Sequence, residues 1–337
     1  MKWNAAGIGY YVGSVNRERP EEARYWRYEL RGAGTLNARS ERTVFEGALI
    51  RVDGGYGCLH PWPELGDPAL DDLLQMMRTG EDHVLIDRAR CCAAMDRAAR
   101  LEARSLFKGL TVPTSHATLV EWSAAAVEAA MRAGFGVMKL KAGRDIAWEA
   151  GMLNEYSHAW PDLRWRLDFN ARTSVEDICV FLECLRDSTK EQIDFLEDPC
   201  PFVEEHWLAL REVGGLRLAM DRGASPGRDE ADVLVLKPAL VDPRDFRQSA
   251  EENAQWLVVT SAMDHPVGQC FAAYEAARLS AGVTGMVGEC GLQTHGLFET
   301  DAFSERLGVV GPVFHPPGGS GLGFDDLLEG LPWKPLS

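Results

Sequence analysis

The chain has 337 residues, of which 46% are apolar and 26% charged, a composition typical of a globular protein that can bury a sizeable core. Its 51 acidic and 35 basic side chains leave a formal charge of −16, which should repel nucleic acid and anionic membrane surfaces. We expect neither a nucleic-acid nor a membrane partner, because the sequence has no basic run interleaved with aromatics and no apolar stretch of membrane-spanning length.

The first twenty residues and the cysteines favour a cytoplasmic location. The N-terminal segment has weak apolar character interrupted by Tyr and Asn, without the apolar core and cleavage site of a signal peptide. The cysteines are scattered and form no Cys-x-x-Cys pair, so neither a zinc site nor a disulfide framework is expected. They are Cys58, Cys91, Cys92, Cys179, Cys184, Cys200, Cys270 and Cys290.

Residues 1–112 predict an α+β domain. Two segments alternate apolar and polar residues and are broken by glycine, as antiparallel strands are: YWRYELRG and RTVFEGALIRVDGGYGCLHP. Apolar residues then recur at helical spacing in PALDDLLQMM and HVLIDRARCCAAMDRAARLEARS. A small sheet followed by helices makes an α+β N-terminal domain.

Residues 113–308 predict a barrel of alternating strands and helices. The strand candidates are SHATLV, GVMKLK, LRWRLDFN, QIDFLEDP, LRLAMD, DVLVLK, WLVVTSA and GMVGECG. Helices are expected after most of them, beginning near Asp145, Ser174, Glu204, Pro243 and Val267. So many units in one run, with polar residues at the carboxyl ends of the strands, favour a closed α/β barrel over an open doubly wound sheet. We expect residues 309–337 to return to the N-terminal domain.

The glycine-rich segments do not indicate a dinucleotide cofactor. Gly7-Ile8-Gly9 and the tail segment PPGGSGLGFD do not lie between a strand and a helix of a βαβ unit with a later acidic residue. We interpret both as turns.

Three acidic side chains end three consecutive predicted strands. Asp168, Glu197 and Asp221 are 29 and 24 residues apart, about one strand–helix unit each. One such acid alone is more often a helix cap or a solvated loop charge, but three in successive units are poorly explained in that way. In a barrel they would be neighbours at one rim, where Mg²⁺ or Mn²⁺ is the counter-charge that suits carboxylate oxygens.

Three lysines lie at the ends of two strands in the same series. Lys139 and Lys141 are two residues apart on one strand and therefore share a face, while Lys237 ends a later strand across the rim. A single strand lysine commonly extends to solvent, but two on one inward face beside carboxylates favour a catalytic role. A lysine base with a divalent cation suits removal of a proton α to a carboxylate, because the cation neutralises the charge that develops on the carboxylate oxygen.

These residues resemble the enolase superfamily, in the muconate-lactonizing type of subgroup that has lysines on opposite sides of the barrel. KLK is similar to its Lys-x-Lys motif, and RLDFN and FLEDPC are similar to the surroundings of its first two metal ligands. The resemblance covers nearly the whole chain and implies a modified (βα)7β TIM barrel, with an α+β capping domain and a C-terminal return. It also implies that Asp168, Glu197 and Asp221 are metal ligands.

Within the superfamily, the sequence most resembles the o-succinylbenzoate synthases. The similar stretches are GYGCLHPWPELGD, VVTSAMDHPVG and ECGLQTHGLFETD. That family dehydrates 2-succinyl-6-hydroxy-2,4-cyclohexadiene-1-carboxylate to o-succinylbenzoate in menaquinone biosynthesis. The resemblance implies that Lys141 abstracts the α-proton and then protonates the departing hydroxyl, that Lys237 stabilises the enolate, and that Lys139 hydrogen-bonds the substrate carboxylate.

The resemblance also implies contacts around the substrate, with some departures. Ser261 and backbone amides around Gly291 would hold the succinyl group, and Asn170 would support the metal site. The family's Asp-Glu-Ser after the third ligand is Asp221-Arg222-Gly223 here, and Cys58 stands where relatives often have Glu.

Three residues near the end of the predicted barrel need an interpretation of their own. Gln293 and His295 replace smaller residues of the family pattern. We interpret His265 and His295 as loop residues, because lysines already fill the acid and base roles.

Other functions of the same site stay open. Racemisation of N-succinyl amino acids needs the same proton abstraction, and muconate cycloisomerases share the lysines and ligands. Dipeptide epimerases are disfavoured, because ECGLQTHG lacks their Asp-x-Asp. A non-catalytic barrel is disfavoured because no lysine or ligand is lost. The oligomeric state is not predicted.

Overall fold

The computed structural model describes residues 22–32, 42–283 and 285–336. The interpretations of Gly7-Ile8-Gly9 and of the first twenty residues fall outside these ranges. Across the described ranges, no helix has the length and apolar character needed to cross a bilayer.

The N-terminal part contains an antiparallel sheet, which we call the cap together with its helices. In the described residues its strands run in the order β11-β1-β2-β3. They are β1 (Ala23–Arg31), β2 (Val44–Val52), β3 (Gly55–Leu59) and β11 (Lys334–Pro335). Asp53 and Gly54 connect β2 to β3 with φ of 49° and 89°. Positive φ at both central residues is what a two-residue type I′ hairpin turn requires.

Two helices pack beside the cap sheet: α1 (Leu70–Thr79) and α2 (Val84–Leu101). The backbone of α2 approaches β3 so closely that a Cβ atom on Gly57 would lie 2.2 Å from the carbonyl oxygen of Ala89. The glycines of GYGCL therefore allow helix and sheet to make close contact.

The second sheet is parallel, and within the described ranges its order is β10-β9-β8-β7-β6-β5-β4. The strands are β4 (Ala117–Leu119), β5 (Val137–Lys141), β6 (Arg164–Asp168), β7 (Ile193–Glu197), β8 (Leu218–Met220), β9 (Val233–Leu236) and β10 (Trp256–Val259). Neighbours in sequence are neighbours in space, as a βα barrel requires.

The remaining helices follow these strands or lie in the C-terminal part. They are α3 (Ala124–Arg132), α4 (Ile146–Ala159), α5 (Val175–Cys184), α6 (Asp187–Lys190), α7 (Glu204–Gly214), α8 (Arg247–Glu252), α9 (Pro266–Gly282), α10 (Ala302–Leu307) and α11 (Asp325–Glu329). The predicted starts of α4 and α5 are confirmed, because Asp145 and Ser174 cap them by accepting hydrogen bonds from Trp148 N and Asp177 N.

Residues 287–291 close the barrel, and we call them the closing segment. On one side Val287 and Gly291 form parallel bridges with Leu257 and Thr260, at and just beyond β10. On the other side Cys290 bridges Ser115, just before β4. The predicted modified barrel with an antiparallel cap is therefore confirmed.

Replacement of Asp96 by alanine is expected to lower the free energy of unfolding by about 3 kcal/mol. This fully buried carboxylate accepts hydrogen bonds from Tyr56 N (3.0 Å), Leu322 N (2.7 Å) and Arg100 Nε (2.6 Å), so it joins β3, α2 and the C-terminal part. Alanine would leave all three donors without this acceptor.

Urea unfolding followed by far-UV circular dichroism measures the effect of Asp96→Ala. The matched control is Glu102→Ala, which removes an exposed acid just beyond α2 and should cost under about 0.5 kcal/mol. A loss at Asp96 no larger than at Glu102 would show that the buried contacts do not stabilise the fold.

Candidate active site

A cavity of about 340 Å³ lies at the carboxyl ends of the barrel strands. The barrel contributes the predicted lysines Lys139, Lys141 and Lys237 to its wall. The cap covers it with five residues, His60, Trp62, Leu65, Asp67 and Leu85. The indole Nε1 of Trp62 donates to the carbonyl oxygen of Ala262 at 2.8 Å, which fixes the cap to the segment after β10.

The two lysines of β5 point into the barrel together. Lys139 Nζ lies 2.7 Å from Glu197 Oε1 and 2.9 Å from Asp168 Oδ2. Lys141 stands two residues further along β5, nearer the rim, and its Nζ lies 2.5 Å from the same Asp168 oxygen. The alternation of strand side chains therefore produces two stacked ammonium groups on one face, as predicted from their spacing.

The three predicted ligand residues stand on consecutive strands. Asp168 and Glu197 end β6 and β7 and are directly paired in the sheet register, while Asp221 follows β8. Asp198 holds the end of β8 in place, because its carboxylate accepts hydrogen bonds from Asp221 N (3.1 Å) and Arg222 N (3.2 Å). The sequence interpretation did not include Asp198, although it is the next residue of the FLEDPC motif.

Lys237 follows β9 and forms an ion pair with Asp221. Since β9 and β5 are four strands apart in the sheet, Lys237 and Lys141 line the same cavity from opposite sides. The structure therefore brings together the three lysines and the three acids of the sequence prediction.

The local charges shift the pKa values of several buried groups. Burial and the negative charge of Asp168 raise the pKa of Glu197 to about 6. Burial, with the charges of Asp221 and Glu197, likewise raises the pKa of Asp198. Burial opposes ionisation of Asp168, but Lys139 and Lys141 outweigh it and lower the pKa of that carboxyl.

The donor set fits a hard divalent cation. Four carboxylates, Asp168, Glu197, Asp198 and Asp221, share one rim with three lysines, so the acids outnumber the ammonium groups. In the described ranges, no three acidic, imidazole or thiol side chains are arranged to hold a metal ion, and Lys139 Nζ occupies the position between Asp168 and Glu197. Oxygen donors with surplus negative charge suit Mg²⁺ or Mn²⁺.

Asn170 lies beside the first ligand. Its side-chain Nδ2 and its backbone N donate to Asp168 Oδ1 at 2.8 and 3.0 Å, and it adopts a left-handed backbone with φ of 51°. These two bonds orient the Asp168 carboxylate and leave its other oxygen towards the lysines.

Ser261 and Gly291 both line the cavity on the wall opposite β7. Gly291 N donates to Val259 O at 2.9 Å, and Gly291 O accepts from Ser261 N at 2.9 Å. The amide of Gly291 is therefore engaged in closing the barrel. The Ser261 hydroxyl lies 2.7 Å from the hydroxyl of Thr294.

The departures from the family pattern are distributed around the cavity. Arg222 lines it, while Cys58 lies behind its wall with Sγ 3.3 Å from the hydroxyl of Tyr28. The loop interpretation is confirmed for His265, which lies fully buried between β10 and α9 as the N-cap of that helix, and is wrong for His295, which begins a 3-10 helix. Neither is among the residues that line the cavity.

One pair of residues beside the lysines was missed altogether. Arg166, two residues before Asp168 on β6, is fully buried, and its Nη1 lies 2.9 Å from His116 Nδ1 at the start of β4. His116 lines the cavity. The only signal in the sequence was a charged residue at an inward position of LRWRLDFN.

Comparisons with known proteins agree with this geometry. The family model described as O-succinylbenzoate synthase, N-terminal domain, matches residues 23–99. An o-succinylbenzoate synthase from Bdellovibrio bacteriovorus is 34% identical over 324 residues, covering 93% of this chain and 98% of that protein.

Solved structures show the same fold at lower identity. A mandelate racemase/muconate lactonizing enzyme from Roseiflexus sp. superposes with a TM-score of 0.74 at 18% identity, covering 94% of this chain and 98% of that one. A dipeptide epimerase from Enterococcus faecalis superposes with a TM-score of 0.72 at 16% identity, covering 90% and 98%. The near full-length relative shows that this chain belongs to the o-succinylbenzoate synthase family, and the solved structures show that it has the fold of the mandelate racemase/muconate lactonizing enzymes.

Proposed function

We propose that the protein is a cytoplasmic, Mg²⁺-dependent o-succinylbenzoate synthase. It would dehydrate 2-succinyl-6-hydroxy-2,4-cyclohexadiene-1-carboxylate, a small-molecule carboxylate, to o-succinylbenzoate in menaquinone biosynthesis. All eight cysteines lie in the described ranges as free thiols, which supports a reducing compartment. The same proposal assigns residues 1–112 to the capping domain, 113–308 to the catalytic barrel and 309–337 to the return that ends in β11.

The main support is the placement of two lysines on opposite sides of one cavity that also contains the acidic cluster. Lys141 on β5 and Lys237 after β9 approach the cavity from different directions. A flat substrate between them would have one amine near each face. One amine can then remove a proton while the other remains a cation, which suits proton abstraction with charge stabilisation.

Lys141 is proposed as the proton carrier. Its amine takes the proton from the carbon α to the substrate carboxylate, and the electron pair of that C–H bond delocalises into the carboxylate. The C–O bond to the hydroxyl on the same face then breaks, and Lys141 returns the proton to the leaving oxygen, so that one water molecule is lost. Geometry supports this role because Lys141 is the lysine of β5 nearer the rim.

The neighbouring side chains are proposed to orient the substrate and the metal. Asp168, Glu197 and Asp221 would hold the divalent ion, which supplies charge neutralisation for the substrate carboxylate as the proton leaves. Lys139 can donate to that carboxylate, since burial opposes its charge but the acids around it raise its pKa and keep it cationic. Asn170 would orient Asp168 as described above.

A side-by-side assay tests the proposed reaction. Purified enzyme with Mg²⁺ is expected to convert the cyclohexadiene substrate to o-succinylbenzoate, followed by the rise in aromatic absorbance. The same preparation is offered an N-succinyl amino acid, and racemisation is followed by polarimetry. Dehydration with a kcat/KM well above that of racemisation supports the proposal. Efficient racemisation without dehydration would replace it by the N-succinylamino acid racemase alternative.

A further inference from the structure

A buried arginine–histidine pair forms part of the cavity wall beside the lysines. Arg166 is held rigidly: its Nε lies 3.2 Å from Asp194 Oδ2, its Nη1 donates to Glu289 O at 2.7 Å, and its guanidinium stacks 4.7 Å from the centre of the Phe195 ring. Nη1 also lies 2.9 Å from His116 Nδ1. Arg166 therefore connects the inside of β6 to the closing segment and to the start of β4.

The hydrogen-bond chemistry of this pair determines where the imidazole proton sits. A guanidinium has five N–H donors and no acceptor, so His116 Nδ1 must accept the bond from Arg166. A neutral imidazole then carries its single proton on Nε2. The ring has no freedom to reverse these roles while Arg166 stays in place.

The surroundings also disfavour the doubly protonated ring. His116 is 5% exposed and stands close to two cations. Burial first, and then the charges of Arg166 and Lys139, lower the pKa of His116 well below its usual range. The imidazole therefore remains neutral at physiological pH, with Nε2–H as its only donor.

The donor edge of His116 faces the space beside Gly291. A Cβ atom built on Gly291 would lie 3.0 Å from both Nε2 and Cε1 of His116, and 2.9 Å from Thr260 Cγ2. Glycine at this position therefore leaves room next to Nε2. Within the described ranges Nε2 has no hydrogen-bond partner, because the one bond of the His116 side chain is that of Nδ1.

Apart from His116, the side-chain donors of this wall are hydroxyls, those of Thr260, Ser261 and Thr294. The amide of Gly291 donates to Val259 O, and the hydroxyl of Ser261 is paired with that of Thr294. Counted around the barrel from β4, the closing segment takes the eighth position and β7, which ends in Glu197, the fourth. The closing segment and Glu197 therefore face each other across the cavity. A substrate group that lies next to Gly291 would therefore meet Nε2 of His116.

We propose that His116 is a substrate-binding residue, a neutral donor whose Nε2–H hydrogen-bonds an oxygen of the substrate's succinyl group. Arg166 is its positioning residue, because it keeps Nδ1 as the acceptor. This inference rests on the proposed function only for the succinyl group, which the dehydration substrate and the N-succinyl amino acids share. A site with a fixed donor discriminates against ligands that lack the matching acceptor.

Nitrogen-15 spectra of histidine-labelled enzyme test the proton position. The chain has eight histidines, and the His116 signals are those lost in His116→Gln. From about pH 6 to pH 8, we expect a pyridine-like Nδ1 and a protonated Nε2, and the Nε2 signal should shift when o-succinylbenzoate is added. In Arg166→Met no donor faces Nδ1, so the imidazole proton is expected on either ring nitrogen. In Arg166→Lys an ammonium donor remains, so the proton should stay on Nε2. A protonated Nδ1 in the wild-type enzyme would overturn the proposal.

Binding and kinetics test the contact. His116→Leu is expected to weaken o-succinylbenzoate binding and to raise KM about tenfold, the effect of one lost hydrogen bond. His116→Gln, whose amide can accept from Arg166 and donate to the ligand, should stay within about threefold. Ser115→Ala removes a buried hydroxyl that has no partner in the described ranges and should change neither quantity.

The outcomes separate this inference from the proposed function. If the wild-type enzyme dehydrates its substrate and His116→Leu keeps the wild-type KM in a folded protein, the contact is wrong and the function stands. If dehydration is absent but an N-succinyl amino acid binds in a manner that depends on His116, the function is wrong and the contact stands. Circular dichroism establishes folding, and the spectra of the wild-type enzyme remain decisive if a variant does not fold.

Discussion

Lys141→Ala is expected to lower kcat for dehydration by about 10³-fold, because it removes the group proposed to carry the proton in both halves of the reaction. The side chain lies among groups that remain after the substitution, including Lys139 and the acids. The binding of o-succinylbenzoate should therefore change much less than kcat. Steady-state kinetics and product titration measure the two quantities separately.

Two further variants make the result for Lys141 specific. Lys141→Arg keeps a cation in the same place, but a guanidinium is not deprotonated in proteins, so it should lose as much activity as the alanine variant. Lys108→Ala changes an exposed lysine between α2 and β4 that does not line the cavity, and it should retain wild-type kinetics. Turnover within tenfold of wild type in either Lys141 variant would show that another group removes the proton.

The strand order and the identity of the acidic cluster could be predicted from the sequence because each depends on local information. Segments such as GVMKLK and QIDFLEDP combine a short apolar run with a polar residue at its end, and parallel strands place such ends at one rim. Lys139 and Lys141 share a face through the period of two of any strand. Helix starts at Asp145 and Ser174 were readable from their capping side chains.

The features that were missed depend on contacts between residues distant in sequence. His116 and Arg166 are separated by 50 positions, and nothing near either one predicts their hydrogen bond. Arg166 within a strand would ordinarily be interpreted as a side chain that reaches solvent. The engagement of the Gly291 amide follows from closure of the barrel against β10, which a local reading of ECGLQTHG does not reveal.

The two sides of the cavity therefore differ in their charge. One wall has carboxylates and lysines in close ion pairs, and its four carboxylates outnumber its three lysines. The opposite wall has neutral hydroxyls, among them the Ser261–Thr294 pair, and His116 stands between the two walls, just before β4. A substrate with two anionic ends would orient by this difference, since only the acidic wall can take up a divalent cation.

Removal of divalent metal with a chelator is expected to lower activity by at least about 10³-fold, and Mg²⁺ or Mn²⁺ should restore it. Without the cation, the charge that develops on the substrate carboxylate would meet Asp168, Glu197 and Asp221 directly. Metal should also stabilise the fold, by about 2.7 kcal/mol at a concentration one hundred times its dissociation constant. Activity assays and thermal unfolding with and without Mg²⁺ measure both effects.

Glu197→Gln distinguishes a bound metal from a general salt effect. The substitution keeps the size of a fully buried side chain and removes one proposed ligand charge, so both activity and the Mg²⁺-dependent rise in Tm should be lost. The matched control is Glu191→Gln, an exposed acid just before β7, which should keep both. Full activity in protein shown to be free of metal, or an equal rise in Tm for the two variants, would contradict metal binding at this cluster. The position of Glu197 between Asp168 and Asp221 is the reason to expect metal binding, because the carboxylates of this rim outnumber its lysines and a divalent cation would offset the remaining negative charge.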